Sequence, residues 1–585
     1  MKSVILFLSL FYFGSSNNFA QEYKVHSHND YEQKVPYWKA FSAGVSSIEA
    51  DVFLVDGQLM VAHEKEHIVQ ERTLERLYLN PLKEVLELGL LSDRTLQVLI
   101  DVKSDAITTL DAIVETLEDY PSITGNEKIT FVISGNRPKT AEYVNYPDFI
   151  SFDYQSLEPI NDAKVLDKIG LISLSFRSFT DWNGKGRLTK EDLKKVTHVV
   201  EKAHDFRKPF RFWATPDSKT AWKSMVNLGV DYVNTDQPFE CVTYVNSLSK
   251  RVFENTSFSN VYTPSFASDG SAITPENIIL LIGDGNGIAQ ISATALANGG
   301  ALSLTQLKNI GFLKTQSADD FTTDSAGAGT ALATGQKVPN RSIGMDADGK
   351  SITSLTEILD KKGFSTAIIT TDEITGATPA SFFAHQKDRS LSDAILKDLE
   401  KSSLELFVAS GDSSEKLGKE VYGFERVENL ESLYLKRSAY FFPSDTVPAP
   451  LKTAVKKVLK TLKTSRKPFF LMVEGAKIDS YGHANKIDGI ITEGIAFDKA
   501  VTEALKFADA NKNTLVIITA DHETGGLTLP QGNVENHSIE ADFTTDDHTG
   551  IFVPIFAYGP QSQRFQGVYG NNEVYVKILK VLGLE

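Results

Sequence analysis

The sequence predicts an α/β protein with two domains in series: an N-terminal (β/α)8 barrel, then a doubly wound α/β sheet. Three observations predict it. Between Tyr23 and about Val245, eight short apolar, β-branched runs alternate with helix-like segments, and strands separated by helices pair in parallel and close as a barrel when there are eight. Six further runs follow from Asn277 onward, most of them ending in Gly, Asp, Glu or His, as strands do where an open α/β sheet places its ligands. A polar stretch rich in Ser, Pro and Gly separates the two sets.

At 585 residues the chain exceeds what one hydrophobic core supports. Its composition, 41% hydrophobic and 23% charged, is that of folded protein. The net charge of -16 is spread without blocks, which gives no electrostatic reason to bind nucleic acid or an anionic membrane. An anionic substrate therefore needs local cations or an arginine. Cys241 is the sole cysteine, so no intrachain disulfide forms. Met1 to Ala20 reads as a secretory signal: Lys2, the run VILFLSLFYF, then Asn18-Phe19-Ala20. A periplasmic or secreted location is expected. No later run has the roughly 18 apolar residues of a membrane span, and no cysteine marks a lipidation point, so no stable membrane anchor is expected.

In the first half the strand runs are KVHSHND, SSIEADVFL, LQVLIDVKS, KITFVISG, FISFDYQ, LISLSF, FRFWATP and DYVNTDQP. Polar residues gather at their C-terminal ends, where barrels do chemistry: His26 and His28, Glu49 and Asp51, Asp101 and Lys103, and Asp236, with His63 soon after the second strand. Glu49 and Asp51 occupy alternate positions of one strand, so both side chains point the same way, as a hard divalent cation requires.

Residues 247–275 show no periodicity and read as an exposed connection, with Asn255-Thr-Ser a potential glycosylation sequon. The expected boundaries are a signal at 1–20, the barrel at 21–246, the linker at 247–275 and the sheet domain at 276–585.

In the second half the runs are NIILLIGDG, FSTAIITTD, LELFVASGD, FFLMVEGA, TLVIITADHE and VPIFAYGP. The stretch TTDSAGAGTALATG, Thr322 to Gly335, offers Ser325 at the start of a small-residue helix. Alone, such a serine is most often an N-cap. Its company changes that reading. Asp284, Glu474 and Asp521-His522 close strands, Asp479 and His483 are spaced to share one helix face, and His548 precedes the last strand. So many acids and imidazoles at one sheet edge repel each other unless cations are present.

The first half resembles the glycerophosphodiester phosphodiesterase and phosphatidylinositol phospholipase C-like family through its two histidines, its Glu49/Asp51 pair and the ending FWATPD followed by GVDYVNTDQP. The resemblance implies His28 and His63 as the acid/base pair, Glu49, Asp51 and Asp101 as ligands of calcium or magnesium, and Lys103 as a phosphate contact. Two positions depart from it: Asn29 stands where an arginine usually helps hold phosphate, and Asp101 where a glutamate is usual.

The second half resembles alkaline phosphatase through LLIGDGNG, TDSAGAGTALATG, ATPASFFAHQKDR, MVEGAKIDSYGH, TADHETGG and DHTGIFVPIFAYGP, in the family's order. The resemblance implies two zincs and one magnesium. Asp284, Asp521 and His522 would hold the zinc that activates Ser325; Asp479, His483 and His548 the second; Asp284, Thr378 and Glu474 the magnesium. Arg389 would grip phosphate, which its planar fork matches bidentately. Gly376 departs from the Asp or His usual two residues before the Thr378 position.

The expected function is an exported, metal-dependent phosphomonoesterase acting through a phosphoserine on small phosphate esters, fed monoesters by the barrel. The alternatives are a noncatalytic barrel that positions phosphorylated ligands, and a related hydrolase such as a sulfatase or nucleotide phosphodiesterase in the second half. The absence of a Cys/Ser-x-Pro-x-Arg motif near Ser325 argues against the sulfatase. The sequence leaves oligomeric state and natural substrate open.

Overall fold

The computed structural model describes residues 23–411 and 420–585; the proposed signal segment lies outside them. The chain divides into two compact units, up to Leu248 and from Ser249.

In the first unit the strands are β1 (Lys24–Ser27), β2 (Ser47–Val55), β3 (Gln58–Val61), β4 (Leu96–Val102), β5 (Ile129–Gly135), β6 (Ile150–Tyr154), β7 (Ile169–Ser175), β8 (Phe210–Trp213) and β9 (Tyr232–Thr235). β1 pairs in parallel with both β2 and β9, and the intervening pairs β2–β4 through β8–β9 are parallel as well, which closes an eight-stranded barrel. The expected runs are those eight. β3 is an addition: it turns back antiparallel on β2 and carries the chain to His63. Leu99, Val132, Leu171 and Tyr232 cluster as one layer of the core, the packed interior that such barrels need.

The second unit holds a short sheet of β10 (Val252–Glu254) with β21 (Leu527–Asn533) and β22 (Ser538–Phe543), and a central sheet of eleven strands. The core of that sheet is parallel: β17 (Ser438–Pro443), β14 (Leu406–Gly411), β13 (Ser365–Glu373), β18 (Phe469–Gly475), β11 (Asn277–Gly283) and β19 (Thr514–Ala520). Antiparallel β24 (Val553–Tyr558) follows β19, then β12 (Asn309–Lys314) and β25 (Gly567–Gly570). At the other edge lie β15 (Glu420–Val421) and β16 (Phe424–Arg426). β20 (Glu523–Thr524) and β23 (His548–Thr549) form a separate two-residue ladder.

The sequence reading found six of these strands and missed β12, β17 and the edge strands. β12 alternates buried and exposed residues and lacks the continuous apolar run of the central strands, which are buried on both faces. In β11, Ile278, Leu280 and Ile282 join one core, packed with the helix Ser325–Thr334, and Ile279 and Leu281 join the other, packed with the helix Ile487–Asn511. A strand with two buried faces is what a three-layer α/β/α fold requires.

The expected exposed linker is a correction. Ser247–Arg251 continue the helix Pro238–Arg251, and Val252–Glu254 pair with β22. Asn255, Ser259 and Ser268 are buried. Asn255 Nδ2 donates to Ala297 O, which closes the sequon to a glycan in the folded state; Ser259 Oγ donates to Asp498, and Tyr262 and Ser265 donate to Asp509. Many side chains between these anchors are exposed, as expected; the anchors themselves leave no hydropathy pattern because they are made by side-chain hydrogen bonds.

Candidate active site

The helix Ser325–Thr334 is capped by Asp324, whose carboxylate accepts from Gly327 N at 2.8 Å. Ser325 is thus released from capping and is itself 4% exposed. Its Oγ lies 3.3 Å from His522 Nε2.

His522 Nε2 also stands 3.4 Å from Asp284 Oδ1 and 3.3 Å from Asp521 Oδ2, and these two carboxylate oxygens are buried with no hydrogen-bond partner. Thr524 Oγ1 donates to Asp479 at 2.5 Å, so the 3.2 Å contact to His522 Nδ1 has the imidazole N–H donating to Thr524. That tautomer leaves Nε2 with a lone pair. Burial pushes His522 down to about 4, so the ring is neutral near pH 7. A neutral imidazole, two partnerless carboxylate oxygens and a hydroxyl converging on one point fit a divalent cation with an open position.

A second group stands on the helix Lys477–His483 and on β23. His483 Nδ1 donates to Asp546 O at 2.6 Å and His548 Nδ1 to Thr323 O at 2.9 Å. Both Nε2 atoms are thereby turned toward each other, 3.2 Å apart, with Asp479 3.3 and 3.6 Å from them. Two lone pairs so placed need a proton or a metal ion between them. Without metal the proton sits on His483, which its hydrogen bond to Asp479 raises to about 9, while burial lowers His548.

The third group is buried as well. Glu474, at the end of β18, accepts from the Thr370 hydroxyl. The Thr378 hydroxyl is near enough to favour the ionised Glu474 yet makes no hydrogen bond of good geometry. Burial, then the charge of Asp372, pushes Glu474 up to about 8, and burial and neighbouring acids raise Asp284 and Asp521. Arg389 Nη1 reaches Asp324 Oδ2 at 3.2 Å, one residue from Ser325. The structure thus brings together every residue named for the second half.

In the barrel, Glu49, Asp51 and Asp101 offer oxygens within 4.8 Å of one another, and Asp51 Oδ1 and Asp101 Oδ1 are buried without partners. The donor set fits a hard cation. Gly135, at φ +66, gives Asp101 room: a Cβ there would lie 1.9 Å from Asp101 Oδ1. Lys103 Nζ pairs with Asp101 at 2.7 Å and Asp51 at 3.0 Å, so its ammonium sits among the carboxylates. His63 Nδ1 lies 3.1 Å from Asp51, beside the Tyr31 hydroxyl, and His28 Nδ1 lies 2.7 Å from Asp236. Burial would lower His28, but Asp236 and Glu49 outweigh it and raise it.

Two barrel contributors were missed. Arg211, 3% exposed in β8, donates to Glu49 at 2.9 Å and to Asn234 at 3.0 Å, beside His26. Burial and Arg211 lower His26 to about 3. An arginine inside the apolar run FRFW was the available signal, since a buried charge must be paired. The Tyr31 hydroxyl, with one proton to give, lies 2.7 Å from Asn29 Oδ1 and 2.8 Å from Asp51 Oδ2. Asn29 itself is left-handed, φ 47, a conformation Asn adopts more readily than Arg.

A family model described as alkaline phosphatase matches residues 275–410 and 437–541. An AIM6-like phosphodiesterase domain matches residues 17–89 and the glycerophosphoryl diester phosphodiesterase family residues 209–238. Alkaline phosphatase 4 of Bacillus subtilis is 30% identical over 407 residues, covering 52% of this chain and 88% of that protein. The alkaline phosphatase of Escherichia coli is 28% identical over 408 residues, covering 53% and 86%. Among solved structures, the alkaline phosphatase of the Antarctic bacterium TAB5 is 36% identical, covering 53% of this chain and 99% of that one, with a TM-score of 0.49.

Proposed function

Through its C-terminal half the chain belongs to the alkaline phosphatase family and is a phosphomonoesterase, and on that premise we propose that Ser325 carries the phosphoryl group as a phosphoserine. One observation carries the reading: Ser325 Oγ shares a point with His522 Nε2 and the partnerless oxygens of Asp284 and Asp521. Asp284, Asp521 and His522 would hold one zinc, Asp479, His483 and His548 a second, and Asp284, Thr378 and Glu474 a magnesium. When bound, such cations supply the Lewis acidity that makes a serine alkoxide accessible near neutral pH and stabilises a departing alkoxide. A TAB5 variant is described with Mg bound in its M3 site.

The chain's own groups do the rest. Arg389 leaves Asp324 to fork two phosphoryl oxygens, and the first N–H groups of the helix Ser325–Thr334 point their positive end at the anion. Ser325 Oγ forms a bond to phosphorus as the ester P–O bond breaks, and the alcohol departs with a proton. Water then breaks the Ser325–phosphorus bond, returns the hydroxyl and frees phosphate. Release of phosphate from a chromogenic monoester should vanish in Ser325→Ala with metal content retained, and acid-quenched wild type should carry phosphate on the Ser325 peptide. Turnover of the variant at the wild-type rate would sink the assignment.

The phosphodiesterase-like first half is proposed to make those monoesters from diesters, with His28 and His63 moving protons beside the Glu49/Asp51/Asp101 group, which would hold calcium or magnesium. Both steps on one exported chain raise the concentration of intermediate at the second site and suit phosphate scavenging in the periplasm or outside the cell. The position of Lys103 among the carboxylates favours the second reading, a barrel that binds without cutting. The two separate on His28→Ala: the enzyme reading expects loss of phosphate release from a glycerophosphodiester, with release from the monoester intact.

A further inference from the structure

Gly376 has φ -52 and ψ 152, ordinary backbone that any residue adopts, so conformation does not explain the glycine. Space does. A Cβ at 376 would lie 2.4 Å from Asp372 Oδ2 and 3.0 Å from Asp372 Cγ. A side chain at 376 and the carboxylate of Asp372 therefore compete for one place, two residues before Thr378.

The Asp372 carboxylate is steered there. The register of β13 against β14 shifts between Ile369 and Glu373, and such irregularities re-aim side chains at strand ends. Asp372 N donates to Thr370 Oγ1 at 2.9 Å, and that hydroxyl donates to Glu474. Ala476 N, just beyond Glu474, donates to Thr371 Oγ1 at 2.8 Å. The end of β13 is thus pinned to the end of β18, acid against acid. Nearby, the Thr378 hydroxyl, 1% exposed, and Asp284 Oδ1 have no hydrogen-bond partner. A buried hydroxyl and carboxylate oxygen left unpaired beside two further carboxylates point to a cation.

We propose that Asp372 is the outer carboxylate of the magnesium site built from Asp284, Thr378 and Glu474, seated in the space that glycine leaves at 376. This rests on the reading of that site given above. Magnesium keeps several waters when protein-bound, and an acid on the strand end pinned beside Glu474 acts on that hydration shell, so Asp372 is a positioning residue for the cation. Outer partners of this kind set metal affinity by about 10–100-fold.

The test is calorimetric titration of magnesium into chelator-treated protein reloaded with zinc, read beside zinc content and unfolding temperature. Asp372→Asn, the isosteric change, and Asp372→Ala should weaken magnesium binding at least ~10-fold with zinc content unchanged. The double variant Asp372→Ala/Gly376→Asp should regain it, because the carboxylate returns to the same place from the other residue. Magnesium affinity of Asp372→Asn or Asp372→Ala equal to wild type overturns the proposal, as does a double variant no better than Asp372→Ala. A wild-type magnesium event that Glu474→Gln leaves unchanged removes the site itself, and is the distinct failure of the earlier reading.

Discussion

Ser325 Oγ lies 3.3 Å from His522 Nε2 because Asp324, its neighbour, does the capping: the Asp324 carboxylate accepts from Gly327 N and pairs with Arg389. One residue starts the helix and parks the arginine, and the next keeps its hydroxyl for chemistry.

Asp324→Ala removes a cap whose loss costs about 1 kcal/mol and releases Arg389. Denaturant unfolding of the second unit should show a destabilisation of that size, and KM for a monoester should change with it. An unchanged unfolding midpoint would show that the cap contributes nothing.

Arg389→Lys keeps the positive charge and loses the fork. Charge-assisted hydrogen bonds are worth roughly 1.5–3 kcal/mol, so kcat/KM should fall by about 10- to 100-fold. A fall under twofold would mean that Arg389 does not grip phosphate bidentately.

Metal removal should make stability pH-dependent in a defined direction. Glu474 at about 8 and His483 at about 9 hold protons in the metal-free fold that the unfolded chain has released near 4 and 6.5. Between pH 6.5 and 9 the folded state therefore binds more protons, and its stability falls as pH rises. His522, lowered to about 4, is neutral in the fold while the unfolded ring is half protonated at pH 6.5, so it offsets the trend only at the bottom of that window. Thermal unfolding of chelator-treated protein should occur at a lower temperature at pH 8.5 than at pH 6.5, and zinc plus magnesium should restore the loss. Equal midpoints without metal would contradict the assignment.

In the barrel, Arg211→Met leaves Glu49 buried without its guanidinium. Breaking a buried ion pair from one side costs about 3–5 kcal/mol, because the remaining charge has no water to return to. Unfolding of the first unit should shift accordingly, and Glu49→Gln in the Arg211→Met background should recover part of it. No recovery would show that the guanidinium is held for a reason other than Glu49.

The sequence by itself determined the architecture and most of the chemistry. Strand-end residues such as Asp284, Glu474 and Asp521 were legible because apolar runs locate strands, and the polar residues that close them locate the edge where ligands bind. Motif spacing joined Asp479 to His483. Tertiary structure decided what periodicity does not record. Residues 252–268 keep many exposed side chains yet are tied down at Asn255, Ser259 and Ser265 by side-chain hydrogen bonds, and Arg211 pairs with Glu49 from 162 residues away. The carboxylate of Asp372 fills the space beside Gly376. These depend on where side chains from distant strands meet. One-dimensional patterns carry burial and period, but not the distance between two atoms brought together by the fold.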